Sequence, residues 1–122
     1  SGALKYRDGV RLENCRDCVV NGNVLNGMQN DSLYFKSSFD CSASGNQITD
    51  SHKRGIVLDN TTRCRISDNS VVERREKPQM PTAIEATGKS NLIQNNAVTK
   101  GLKGNIVCAA KHGKIQGNTI WE

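Results

Sequence analysis

Rings and rigid joints are scarce in this chain. Aromatic residues make up 4% of its 122 positions, with one Trp, two Tyr and two Phe, and there are only two prolines. A core built on large rings is excluded, and binding of nucleic acid on stacked aromatic platforms is disfavoured. No apolar run approaches the roughly 18–20 residues of a membrane helix. No charged-then-apolar leader of the secretory kind is visible either. Neither nucleic acid nor membrane is therefore an expected partner. Charge is plentiful, with 17 Lys and Arg against 12 Asp and Glu for a net +5. Those cations are spread along the chain rather than gathered in one run.

What the chain does have is a repeat. A six-residue pattern (apolar, any, Gly/Asp/Asn, Asn, any, apolar) occurs at Val20–Leu25, Ala43–Ile48, Ile66–Val71, Ile93–Val98 and Ile115–Ile120. Its asparagines are Asn23, Asn46, Asn69, Asn96 and Asn118, spaced 23, 23, 27 and 22. Upstream of each copy stands an apolar pair one residue apart: Val10/Leu12, Leu33/Phe35, Ile56/Leu58, Ile84/Ala86 and Ile106/Cys108. The interval from pair to pattern is 8, 8, 8, 7 and 7 residues. Period-2 alternation means strand. A short strand cannot bury its apolar face alone, but copies stacked in register can.

The expected architecture is all-β: a parallel β-helix of about five coils, with three short strands per coil. At about 4.8 Å per layer the rod would be roughly 24 Å long. Asn at the corner is expected to supply the left-handed conformation of a tight bend, and stacked amides to hydrogen-bond along the column. Residues 9–122 would hold the coils. Residues 1–8 would be the remnant of a preceding coil, with Ser1-Gly2 as a cloning scar. The uncapped coil ends would favour self-association or stacking. The interval between Asn69 and Asn96 carries four extra residues, which fall in a longer loop at 73–81.

Five cysteines are present, and Cys18, Cys41 and Cys64 repeat at the coil period, so they stack as a structural column. Asn91 and Gly113 continue that column, and Cys108 takes an inward apolar position. Cys15-x-x-Cys18 has the form of a redox or half-zinc motif, but no second pair at metal-site spacing follows, so no metal site is expected. The odd count and the stacked column favour reduced thiols over a disulfide framework.

The repeated Gly-Asn-type corner and the Gly-Ile-x-Leu strand resemble the right-handed parallel β-helix family, the pectate-lyase-like superfamily. This group includes polysaccharide lyases, polygalacturonases, mannuronan epimerases and phage tailspike depolymerases. The resemblance implies a right-handed coil and a sugar-binding outer face on the first sheet of strands. Alternation sends Arg11, Tyr34, Val57 and Glu85 outward in one row, and Glu13, Lys36, Asp59, Thr87 and Ala109 in the next. By that resemblance Lys36, Asp59 and Glu85 are the catalytic candidates. Arg11, Glu13, Tyr34, His52, Arg54, Arg74 and Arg75 are the substrate-binding ones, the arginines suiting a uronate carboxylate.

Several marks of the family's enzymes are missing. The polygalacturonase acid pair and Gly-His-Gly segment have no counterpart beyond Lys111-His112-Gly113. The Asp-Pro-His motif of epimerases is absent, and so is an Asp cluster for calcium, which stays a cofactor by family analogy only. Two readings remain open. One is a segment that binds or processes an anionic polysaccharide, as lyase, epimerase or glycoside hydrolase. The other is a structural or adhesive β-helix without chemistry, such as a tailspike shaft or surface stalk. The resemblance places either in a secreted, periplasmic, cell-surface or virion setting. The 73–81 loop would separate the two readings by walling, or not walling, a groove over Lys36 and Asp59.

Overall fold

The computed structural model describes residues 3–4, 9–108 and 113–121. Ser1-Gly2, Ala109 and His112 lie outside them. The described residues form sixteen strands and no helix. Three parallel sheets result. The first contains Val10–Glu13, Leu33–Lys36, Ile56–Thr62, Thr82–Lys89 and Gly104–Cys108. The second contains Val19–Asn21, Ser42–Ser44, Arg65–Ser67, Leu92–Gln94 and Lys114–Gln116. The third contains Ala3–Leu4, Val24–Asn26, Gln47–Thr49, Ser70–Val72, Ala97–Thr99 and Thr119–Trp121. Successive strands along the chain go to different sheets, and each pairs with its equivalent one coil away. The product is a β-solenoid of about five turns.

The registers are those of the repeat. Val10, Leu33, Ile56, Ile84 and Ile106 stand beside one another, as do Leu12, Phe35, Leu58, Ala86 and Cys108. On the second sheet the inward column is Val20, Ala43, Ile66, Ile93 and Ile115. On the third it is Leu25, Ile48, Val71, Val98 and Ile120, and Leu4 pairs in register with Leu25. In the middle coils these side chains are closed off from solvent, with Phe35, Ile56, Leu58, Ile66 and Ile84 at 0% exposure. Apolar stacking of this kind gives each coil a stability that depends on its neighbours.

The corner between the second and third sheets departs from the expected mechanism in one respect. The left-handed residue is the one before the repeated Asn: Gly22 (φ 69), Gly45 (φ 65), Asp68 (φ 56), Asn95 (φ 56) and Gly117 (φ 65). That position carries Gly, Asp or Asn because these residues reach positive φ at least cost. The repeated Asn is thereby left to turn its amide inward. Asn46 donates its backbone N–H (3.0 Å) and Nδ2 (2.9 Å) to Asn69 Oδ1, and Nδ2 also to the Val20 carbonyl (3.2 Å). Asn69 does the same to Asn96 Oδ1 (2.9 and 3.1 Å) and the Ala43 carbonyl (3.1 Å). Asn23 and Asn96 extend the pattern onto Asn46 and Asn118. Among the described residues no buried side-chain nitrogen or oxygen lacks a partner.

The change of interval from 8 to 7 also has a structural cause. In the first three coils a left-handed residue, Asn14, Ser37 or Asn60, directly follows the outward row of Glu13, Lys36 and Asp59. The fourth coil omits it. Register therefore shifts between Ala86 and Gly88, which pair with Leu58 and Thr61, so that Thr87 faces both Asp59 and Asn60. The Asn60 N–H donates to Thr87 Oγ1 at 2.9 Å, and the shorter strand crosses at Gly88 with φ 119.

Candidate functional site

The outer face of the first sheet assembles most of the expected residues. Arg11 pairs in register with Tyr34, Tyr34 with Val57, and Val57 with Glu85. In the next row Glu13 stands beside Lys36 and Lys36 beside Asp59. The shift at Thr87 ends that row in the fourth coil. The guanidinium of Arg11 lies 4.3 Å from the centre of the Tyr34 ring, and its Nε donates to Glu13 at 2.8 Å. The Tyr34 hydroxyl donates to Asp59 Oδ2 at 2.5 Å, and that bond raises the pKa of the phenol. Tyr34 is therefore held between a cation over its face and a carboxylate at its tip.

Arg54 is the strut of this face. Its Nε and Nη2 donate to the two Asp31 oxygens at 3.1 and 3.0 Å, its backbone N–H donates to Asp31 Oδ1 at 2.9 Å, and Nη1 reaches Glu85. These carboxylates hold its pKa above the ordinary arginine value, Asp31 contributing most. A fork shared between two acids is a strong, directional arrangement. Val57, outward by alternation, is only 2% exposed, lying between Tyr34 and Glu85 in its row. Asp31 was not among the expected residues, although it lies one 23-residue period before Arg54. The same period separates Arg63 from its partner Asp40, at 2.8 and 3.1 Å. Ion pairs at the coil period are thus a signal the charged residues already carried.

Beside Tyr34 the surface dips into a concavity of about 170 Å³ lined by Gly9, Arg11, Asn30, Asp31, Tyr34 and Lys53. Gly9 is required there by close packing, since a Cβ would stand 1.8 Å from the Ser32 carbonyl oxygen.

The 73–81 loop does not line this concavity. It is anchored over the preceding corner instead. Arg75 donates to both Glu73 oxygens (2.5 and 2.7 Å) and to the Ser51 carbonyl (2.7 Å). The Met80 N–H donates to Glu73 Oε2 (3.2 Å). Arg74 is exposed, and its backbone N–H donates to Asp50 (2.7 Å). His52 Nδ1 meets Gln79 Oε1 at 2.8 Å, and Met80 is fully buried. His52 and Arg75 therefore hold the loop in place, and neither they nor Arg74 line the concavity beside Tyr34.

Burial works against ionisation of Glu73, but Arg75 and the Met80 and Gln79 N–H groups outweigh it, so its pKa is lowered. A carboxyl lowered on folding stabilises above its unfolded pKa and loses that contribution as pH falls through the folded value. Glu73→Gln is expected to cost about 1–2 kcal/mol at neutral pH. The gap from wild type should close in thermal melts taken towards acid pH, and a gap that stays constant with pH would contradict this account.

The thiols form a run of their own in the turn between the first and second sheets. All five cysteines are free. Cys18, Cys41 and Cys64 stand one coil apart, each one residue before a paired strand of the second sheet. Each thiol of the run donates to the carbonyl two residues before it: Cys15 to Glu13 (3.4 Å), Cys18 to Arg16 (3.6 Å), Cys41 to Phe39 (3.4 Å) and Cys64 to Thr62 (3.8 Å). Burial pushes the Cys41 pKa up to about 11. Asn91 takes the next place, its Oδ1 accepting the Cys64 N–H (3.1 Å) and the Thr61 hydroxyl (2.9 Å). Among the described residues no three or more His, Cys, Asp or Glu are grouped so as to hold a metal ion.

No curated protein and no solved structure matches the chain. Residues 3–97 match a family described as "Periplasmic copper-binding protein (NosD)". That match covers most of the sequence and its repeated coils, and the chain belongs to the NosD family.

Proposed function

We propose that this chain is a polysaccharide-binding β-solenoid segment whose contact surface is the outer face of the first sheet. The supporting observation is the concavity where Tyr34, Arg11, Lys53 and Asn30 meet. A sugar ring packs on an aromatic face while its hydroxyl or carboxylate groups take hydrogen bonds from surrounding donors. Arg11 and Lys53 supply the cations a uronate would need. Binding is favoured over turnover, because the acids that catalysis would use are engaged: Asp59 accepts from Tyr34, and Glu85 accepts from Arg54.

A binding screen on uronate-containing and neutral polymers tests this reading. Tyr34→Ala is expected to weaken binding about tenfold, roughly 1.4 kcal/mol. Product formation that disappears in the Lys36→Ala/Asp59→Ala double variant would turn the segment into an enzyme. Absence of binding by the wild type to every polymer would overturn the proposal.

A second reading comes from the family's description: binding of copper, in the periplasm. The observation that favours it is the column of free thiols at the coil period, Cys18, Cys41 and Cys64, since thiolates are the soft ligands that select monovalent copper.

A further inference from the structure

The stretch leading from the first sheet to the second has one build in three successive coils. Left-handed residues bracket it: Asn14 and Asp17, Ser37 and Asp40, Asn60 and Arg63. Between them Arg16, Phe39 and Thr62 pair side by side as one column. The Phe39 N–H donates to the Cys15 carbonyl (2.9 Å), and the Thr62 N–H donates to the Ser38 carbonyl (3.0 Å). Backbone bonds thus fix Phe39 from both sides. Its ring is 40% exposed, whereas Phe35 on the strand before it is at 0%. A lone exposed ring is ordinary, but this one has a partner. The Arg16 guanidinium lies over it, 5.4 Å from its centre.

The same arrangement stands five residues earlier on the same two coils, where Arg11 lies over Tyr34. Exposed Lys36 comes between the two rings along the chain. We propose that Arg16 and Phe39 form a second contact site for the anionic polysaccharide, on a path that runs from Tyr34 past Lys36. This inference rests on the polysaccharide reading above and extends its contact surface around the corner of the solenoid. Gly9, Asn30 and Lys53 of the concavity precede strands of the first sheet, and Phe39 follows one, so the two contacts bracket the sheet.

Charge and distance select the ligand. None of the ion pairs among the described residues includes Arg16. A guanidinium over a ring still has N–H groups at its edge, and these match a carboxylate. A uronate unit offers both parts at once, an apolar sugar face for Phe39 and a carboxylate for Arg16. Tyr34 to Lys36 is about 7 Å of strand. Phe39 lies beyond, within the roughly 18 Å that five residues can reach. One sugar unit cannot touch both rings, whereas an oligomer can.

The test uses the intact chain with galacturonate, mannuronate and neutral xylose oligomers, each from the dimer to the octamer. Wild-type affinity for a uronate should rise with length. Phe39→Ala should weaken octamer binding about fivefold and leave dimer binding unchanged. Phe39→Tyr should keep the octamer affinity, and Arg16→Gln should narrow the preference for uronate over xylose. Phenylglyoxal modification, mapped by mass spectrometry on the wild type, should find Arg16 protected by the octamer and not by the dimer. This readout needs no variant, so a folding defect cannot obscure it. Failure of the wild type to bind any member of the three series would overturn the polysaccharide reading and this site together. Octamer binding that Phe39→Ala leaves intact, or that leaves Arg16 open to phenylglyoxal, would overturn the second site alone. An equal loss for dimer and octamer in Phe39→Ala would do the same.

Discussion

Asn69→Val is expected to destabilise the solenoid by about 4 kcal/mol, through lost hydrogen bonds more than through backbone strain. Asn69 is 2% exposed. Its Oδ1 accepts the backbone N–H and Nδ2 of Asn46, and its Nδ2 donates to Asn96 Oδ1 and the Ala43 carbonyl. Valine keeps the width of the residue and supplies none of these partners. A buried group left unsatisfied costs about 1–3 kcal/mol. The Asn46 N–H and the Ala43 carbonyl each lose the partner that Asn69 supplies. Against a typical total stability of about 5–15 kcal/mol, the melting temperature should fall by roughly 15 °C. Asp68→Val separates strain from hydrogen bonding, because Asp68 carries the positive φ. It should cost only about 1–2 kcal/mol. Equal melting temperatures for wild type and Asn69→Val would refute the ladder as a source of stability.

Gly88→Ala is the second large effect, expected at about 3–5 kcal/mol. A Cβ at this position would stand 2.0 Å from the Thr61 carbonyl oxygen and 2.7 Å from its nitrogen. Both are backbone atoms held in the paired register, so neither can rotate away. The φ of 119 adds strain of about 1–3 kcal/mol for any side chain. Overpacking against fixed backbone contributes a similar amount. The register shift between Ala86 and Gly88 must then move, and with it the Thr87 contact to Asn60. Denaturant titration checks the size of the loss. A variant as stable as wild type would mean that the fourth coil has slack the close contact denies.

The fold was readable because one pattern returned at one period. Period-2 pairs gave the strands, and the constant interval gave the columns, down to residue-by-residue registers such as Leu33 beside Ile56. The interval change from 8 to 7 was equally visible, but its meaning was not. Only the paired strands show that the missing residue is the left-handed one occupied by Asn14, Ser37 and Asn60. The corner Asn was expected to supply both the positive φ and a stacked amide, and only the amide is in use, the positive φ falling to the residue before it. Asn tolerates positive φ and also has an amide to share, and sequence alone does not say which is in use.

The surface was harder to read. Alternation places Val57 outward, but burial there depends on long neighbours closing over it. Arg54 was expected to grip a ligand and instead braces Asp31 and Glu85. Sequence spacing shows Asp31 one coil away, but not that the Arg54 fork points at it. The expected parallel β-solenoid stands, while the family shown is NosD and the pectate-lyase-like superfamily remains a resemblance.

The register has a consequence for how such a chain can change length. Removing the 23 residues from Asn23 to just before Asn46 would take out one member of every column and bring equivalent neighbours together again. Losing a single residue inside a strand would turn every inward side chain after it outward until the next corner. The extra residues of the 73–81 loop fall between strands, and the one omitted near Thr87 falls at the register shift, beyond the last inward pair of Ala86 with Leu58. Length in this molecule is therefore commensurate with its coils: whole turns, corner residues and the bulge past the inward pairs are the natural units of insertion and loss, and the inward-facing stretches are not.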